Sequence, residues 1–312
     1  MCLIRSDGSA GRAMIPLITS IPPRFNRQAG DDREIGREYA LNCIRSWRNC
    51  GFDPVSVNAV SEPVSELITS EAIKLLTVER DASDRFGKPL VYLADVVAAA
   101  CSQTDGPLAI TNADILIDMT DSTRQAISGL KPGQCLISRR RDIEQVDSRN
   151  GVDYRFGYDF FAFHARDLST FSNDDFVFGM PWWDHYFPIS MYMRGIRSLP
   201  AINPFVYHLA HTERWEPDNW VALGKRFLEL IQEGTLGDGK HDALVRNYTH
   251  RFRHSVVGKD ARLVSRLKAG LRKLINAAEP EVNNGAESEL RVLFRLAELN
   301  VKWLDERGPR YT

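Results

Sequence analysis

The residues best suited to chemistry are Asn112 and Asp114, within the run ITNADILID. They follow an apolar stretch, Leu108 to Thr111, that reads as a buried strand, and the carboxyl ends of buried parallel strands are where α/β sheets bind their ligands. Side chains two apart at a strand end can face the same way. A carboxylate beside an amide there offers oxygen ligands to a hard divalent cation that keeps substrate phosphates in its shell. The spacing itself is common, since Asn173-Asp174-Asp175 and Glu216-Pro217-Asp218 match it. Only Asn112-Ala113-Asp114 follows an apolar strand preceded by a long helical pattern. The plain alternative is a turn in which Asp114 caps the next element.

Three further groups stand out. His208 and His211 come three apart after the apolar Pro204 to Tyr207, and imidazole is a frequent ligand of divalent metals. His208, nearer the strand end, is the one expected to complete a metal shell; the alternative is a core histidine bonded to backbone. The segment PWWDHY, Pro181 to Tyr186, gathers two indoles, a carboxylate and an imidazole. Indole faces stack on sugar rings, so Trp182, Trp183 and His185 are candidates for an acceptor site. Asp184, a carboxylate beside apolar rings, is the candidate general base. The alternative is that the tryptophans anchor the loop in the core. Arg139-Arg140-Arg141-Asp142 follows a predicted strand and either clamps an anion or splays to solvent with one arginine paired to Asp142.

These groups need a frame. Met14 to Ile21 is a short apolar run closed by Pro22-Pro23, as in a buried parallel strand. From about Glu34 to Cys50 the apolar positions take helical spacing, with Gly51 as the stop. The cycle repeats with strands at Pro54 to Val60 and Ile73 to Val78 and a short helix at Val64 to Thr69, and such alternation predicts a parallel sheet. Pro89 is placed at a helix start, with Leu90, Leu93, Val97 and Cys101 on one face. Gln134 to Ser138 and a half-exposed Tyr158 to Phe163 read as further strands, and Asn203 to His208 as another. From Asn219 the pattern turns helical, and from about 251 it is helical and charged.

Composition restricts the partners. The chain has 312 residues, and 40 basic against 41 acidic residues give a formal net charge of −1, so no global field draws nucleic acid or anionic lipid. Five cysteines without a Cys-x-x-Cys pair read as reduced thiols in a cytoplasm. The opening residues lack the apolar run of a secretory signal. The longest apolar stretch, LVYLADVVAAAC, is interrupted by Asp95 and falls short of the roughly 20 residues that span a bilayer. A soluble cytoplasmic protein is expected.

From about Ile15 to Trp215 the sequence resembles the nucleotide-sugar glycosyltransferases of the GT-A fold, specifically their cytoplasmic bacterial members and plant relatives. The resemblance rests on an ordered series: ITSIPPR, CIRSW, VSVNAVSE, ITNADILI, GYDFFAF, PWWDHY and VYHLAHTERW. It implies a mostly parallel sheet flanked by helices over 14–215, after a loose tail at 1–13 and before a helical carboxyl-terminal extension at 216–312. It also implies transfer of a sugar, hexosyltransferase-like, from a nucleoside-diphosphate sugar to a carbohydrate or other hydroxyl acceptor, aided by Mn²⁺ or Mg²⁺. Asn112-Ala113-Asp114 takes the place of the family's Asp-x-Asp element. Asn at its first position removes one charge, which either weakens metal binding or turns that residue to the ribose. The loop Ser20 to Arg24 is implied to lie against the base; otherwise it is a plain turn. Ser61, Glu62 and Arg80 stand at equivalent strand ends, where a carboxylate can meet a base or ribose and an arginine a phosphate. Lys88 either adds charge near the diphosphate or is an exposed capping lysine. The two alternatives are a nucleotidyltransferase, which normally carries a glycine-rich phosphate loop where this chain has SIPPRFNRQAG, and a non-catalytic nucleotide-sugar-binding protein.

Overall fold

A computed structural model describes residues 14–28, 33–154, 157–199, 204–211 and 216–232. Its elements in order are β1 (Ile15–Thr19), α1 (Gly36–Asn49), β2 (Phe52–Ala59), α2 (Glu66–Ser70), β3 (Lys74–Val78), α3 (Ser83–Phe86), α4 (Leu93–Cys101), β4 (Pro107–Thr111), β5 (Leu116–Ile117), α5 (Asp121–Ser128), β6 (Gln134–Ser138), β7 (Arg141–Ile143), β8 (Gly151–Asp153), β9 (Phe160–His164), α6 (Ala165–Leu168), α7 (Trp183–Met193), β10 (Arg197–Ser198), β11 (Val206–Leu209) and α8 (Pro217–Gln232).

Seven strands form one sheet in the order β10-β6-β9-β4-β1-β2-β3. β1 pairs in parallel with β2 and β4, β2 with β3, and β6 with β10, whereas β9 runs antiparallel between β4 and β6. The mixed α/β architecture with a mostly parallel sheet, expected from the alternation of elements, is therefore present. A second sheet, β5-β11-β7-β8, packs beside it.

The strands sort their side chains between two cores because successive residues point to opposite faces. Ile18, Leu108, Ile110, Phe161 and Phe163 join the cluster with α4, α7 and α8. Leu17, Ala109, Phe160 and Ala162 join the cluster with α1 and the small sheet. This corrects the expectation of a half-exposed strand at 158–163. β9 is covered on both faces, and Phe160, Phe161 and Phe163 are each 0% exposed. The alternation that suggested one wet face instead reflects two dry ones.

The helix expected from Pro89 begins at Leu93. Residues 91 and 92 are held extended by the loop before α7, since Tyr92 bridges Val177, Phe178 N–H donates to Val91 O and Leu93 N–H donates to Phe176 O. Helical turns cannot form while those groups are paired sideways. α1 ends as expected, with Gly51 at φ 86°, where only glycine is unstrained. α8 buries Leu223, Phe227 and Leu230 in the α7-side core. The charged helical stretch from 251 lies outside the described residues. No helix among the described residues is long and apolar enough to cross a membrane.

Candidate functional site

The strand register brings the polar groups together. Thr111 at the end of β4 is opposite Phe160 at the start of β9, and Phe160 is opposite Ser138 at the end of β6. The residues just beyond those ends must then converge. Asn112 Nδ2 donates to Asp159 Oδ1 at 2.9 Å, and Arg140 Nη1 donates to the same oxygen at 3.1 Å. Asn112 is thus turned toward Asp159.

Asp114 is placed by α1. Tyr39 Oη donates to Asp114 O at 2.7 Å, Trp47 Nε1 donates to Ile115 O at 2.6 Å, and Ser46 Oγ accepts from Ile117 N–H at 3.0 Å. A single helix face satisfies the backbone of the segment after β4, which would otherwise be buried without partners. Tyr39 Oη also accepts from Leu209 N–H at 2.8 Å, tying β11 to the same point.

β11 lies in parallel beside β7 with His208 paired to Asp142, so their side chains are neighbours on one face. His208 Nδ1 is 3.0 Å from Asp142 Oδ1, and Nε2 is 3.3 Å from Asp114 Oδ2. A carboxylate only accepts, so Nδ1 is the donor to Asp142. His211 adds a third ring, with its centroid 4.9 Å from that of His208. Ligand atoms of Asp114, His208 and His211 all lie within 4.8 Å of one another.

Charges at this point are tightly linked. Burial pushes the Asp114 carboxyl up, but His208, Arg27 and Arg140 outweigh it and hold the group below the usual carboxylate range. For His208, burial and Arg140 disfavour the proton, yet the Asp114 and Asp142 carboxylates prevail and raise its pKa. Arg140 bonds Asp142 through Nε at 2.8 Å and lies over the Tyr154 ring at 3.9 Å. Of the three arginines at 139–141, Arg140 is the one bonded to site residues, through Asp142 and Asp159; Arg141 instead pairs with Asp153 at 2.8 Å.

One cleft of about 1160 Å³ joins these groups to others. Ser20, Arg24, Glu62, Lys88, Asn112, Asp114, Asp184 and His208 all line it. Glu62 accepts from Asn58 Nδ2 at 2.6 Å, and burial raises its pKa. Asp184, in the first turn of α7, accepts from Tyr158 N–H at 3.2 Å. Burial raises the Asp184 pKa and the Asp159 charge adds to the rise, against the lowering effects of His185 and backbone N–H groups. Gly157 is the close neighbour that this placement requires, because a Cβ there would come within 2.1 Å of Asp184 Oδ2.

Five residues expected to meet a ligand are placed differently. Ser61 hydrogen-bonds Asp81 at the surface, and Arg80 is held by Asp95 and Asp174 at 2.7 and 2.6 Å; neither lines the cleft. Trp182 and Trp183 border the cleft but are each 2% exposed. Trp182 packs on Trp220 and Phe227, and Trp183 on Phe161 and Phe178, with centroids 4.7 to 5.4 Å apart. Their faces are taken by protein rings, so they wall the cleft and offer no stacking surface. His185, 1% exposed, lies beneath Trp182 and Tyr158 and does not line the cleft.

Residue type and spacing alone do not single out Arg27, Tyr39, Asp159, or Asp142 as the partner of His208. Asp159 had a signal, being the residue immediately before the buried FFAF strand, directly across from the end of β4.

No family model matches the chain, and no curated protein does. Among solved structures it is similar to HddC from Yersinia pseudotuberculosis complexed with GMP-PN, at 10% identity over 69% of this chain and 100% of that one, with a TM-score of 0.33. It is also similar to the inositol-1-phosphate CTP transferase from T. maritima, at 13% identity over 52% of this chain and 76% of that one, with a TM-score of 0.30. Likeness at that level carries no functional argument, and the site has to be read from its own geometry.

Proposed function

We propose that the chain is a metal-assisted glycosyltransferase that binds a nucleoside-diphosphate sugar in the cleft and transfers the sugar to a hydroxyl acceptor. The carrying observation is that a single cleft joins Asp114, His208 and His211 at one point to Asp184 at another. The donor set of one carboxylate and two imidazoles, with Asp142 orienting His208, suits a divalent ion of intermediate softness, and so favours Mn²⁺ over Mg²⁺. Such an ion, when bound, supplies positive charge where the departing diphosphate develops negative charge.

The remaining roles belong to side chains. Lys88 and Arg24 add positive charge to the cleft, and Glu62 is available to a ribose or base N–H. Asp184 takes the proton of the acceptor hydroxyl if configuration inverts, and positions the acceptor if it is retained. The raised pKa of Asp184 suits a base, since a higher pKa strengthens the proton acceptor.

The second reading is nucleotidyl transfer by the same cleft. Against it stands the loop after β1. Ile21 N–H is already used by Ser56 Oγ, Arg27 N–H by Glu34 Oε1, and Pro22 and Pro23 have no N–H, so four positions of this loop offer no backbone donor to cradle a triphosphate. Thermal-shift screening of nucleoside diphosphates and their sugars, with and without Mn²⁺, tests the proposal. A metal-dependent shift in the wild type that vanishes in a folded Asp114→Ala variant is expected. Turnover must release a nucleoside diphosphate; release of pyrophosphate from a nucleoside triphosphate would favour the second reading.

A further inference from the structure

Arg27 occupies the point where Asp114 and His208 meet. Its guanidinium is ion-paired to Asp114 Oδ2 through Nη2, which also lies 3.4 Å from His208 Nε2. The side chain is only 10% exposed, and its buried Nε has no hydrogen-bond partner. The backbone is fixed: Arg27 N–H donates to Glu34 Oε1 at 3.1 Å, and Arg27 O accepts from Ile35 N–H at 2.9 Å. Gly36 allows this approach, because a Cβ there would fall 1.9 Å from Phe25 O. The guanidinium carbon stands 5.9 Å from the centre of the Tyr39 ring, on the residue that also anchors Asp114.

With Nδ1 bonded to Asp142, His208 turns Nε2 toward Asp114 Oδ2 at 3.3 Å, and Arg27 Nη2 reaches both atoms. A divalent ion held by Asp114, His208 and His211 would draw on the same carboxylate and, with Nδ1 bonded to Asp142, the same ring nitrogen.

We propose that Arg27 is a built-in competitor of the divalent cation, holding Asp114 and His208 in the metal-free chain and yielding them when the metal binds. The inference rests on the reading of Asp114, His208 and His211 as metal ligands. A displaced guanidinium carries an unsatisfied Nε–H and a freed Nη2 in the cleft, where both can meet an anionic phosphate. Metal and diphosphate are thereby coupled, since each removes a partner that Arg27 would otherwise share with the other.

The test is Mn²⁺ titration of the full chain followed by the loss of the free-ion electron paramagnetic resonance signal, which needs no substrate. Arg27→Met is expected to bind Mn²⁺ about tenfold or more tightly than wild type, the scale of one charge-assisted hydrogen bond removed from the competition. Arg27→Lys, which keeps the charge without the planar fork, should fall between them and carries the test if the methionine variant does not fold. Asp114→Asn should abolish binding in both backgrounds. Equal or weaker binding by the Arg27 variants overturns the competition and leaves the metal site standing. Binding that survives Asp114→Asn places the ion elsewhere and overturns it too. Absence of binding in every protein overturns the metal reading, and the inference with it.

Discussion

Asp142 and His208 are paired across two parallel strands, and their side chains meet at 3.0 Å. The carboxylate fixes the imidazole so that Nε2, not Nδ1, faces Asp114. Asp142→Asn keeps the volume and removes the charge. Loss of such an outer partner weakens metal affinity by about 10- to 100-fold. Mn²⁺ titration checks this, and unchanged affinity would mean that the ring is oriented by packing alone.

Asp184→Asn separates binding from transfer. Donor binding should be almost unchanged, and transfer should fall by about 10²-fold or more. Equal loss of donor affinity would make Asp184 a binding residue.

The same substitution has a stability signature. The folded-state pKa of Asp184 lies above its ordinary value, so the native protein holds this proton more tightly than the unfolded chain. The stabilisation is full below the unfolded pKa and is lost as pH rises through the folded one. Asp184→Asn should therefore raise Tm relative to wild type at neutral pH, and the difference should close near pH 4, roughly the ordinary carboxylate value. A difference independent of pH would contradict this assignment.

Gly157→Ala forces an atom against Asp184 Oδ2. We expect a loss of about 1–3 kcal/mol, typical of overpacking, measured by denaturant unfolding, together with reduced transfer. Wild-type stability would show that the loop yields freely.

Trp182→Ala should cost about 3–5 kcal/mol as a core truncation. A sugar-stacking residue would instead change the acceptor KM and leave Tm alone, so the pair of measurements decides between the roles.

Much of the frame was legible because β1, β2, β4 and α1 carry clean periodicities and stops. The boundary of α4 was not, since the residues that lead into it pair with a loop some 85 positions later. For the site, Asp114 and His208 could be picked out from strand ends and residue type. Arg27 could not be separated from Arg24 in the same loop, because which arginine turns inward depends on the contact between Gly36 and Phe25. The tryptophans misled for a related reason: an indole at a cleft and an indole in a core have the same sequence signature, and only Trp220 and Phe227, far along the chain, decide between them.

The antiparallel β9, set between β4 and β6, also governs the birth of the protein. During vectorial synthesis β1 to β4 emerge first, and β4 has no partner on its outer edge until residues 160–164 leave the ribosome. For that interval the nascent chain presents an unpaired apolar strand, the kind of edge that recruits foreign strands. Slower elongation between about 112 and 160 should therefore increase aggregation, while supplying residues 160–164 promptly closes the edge.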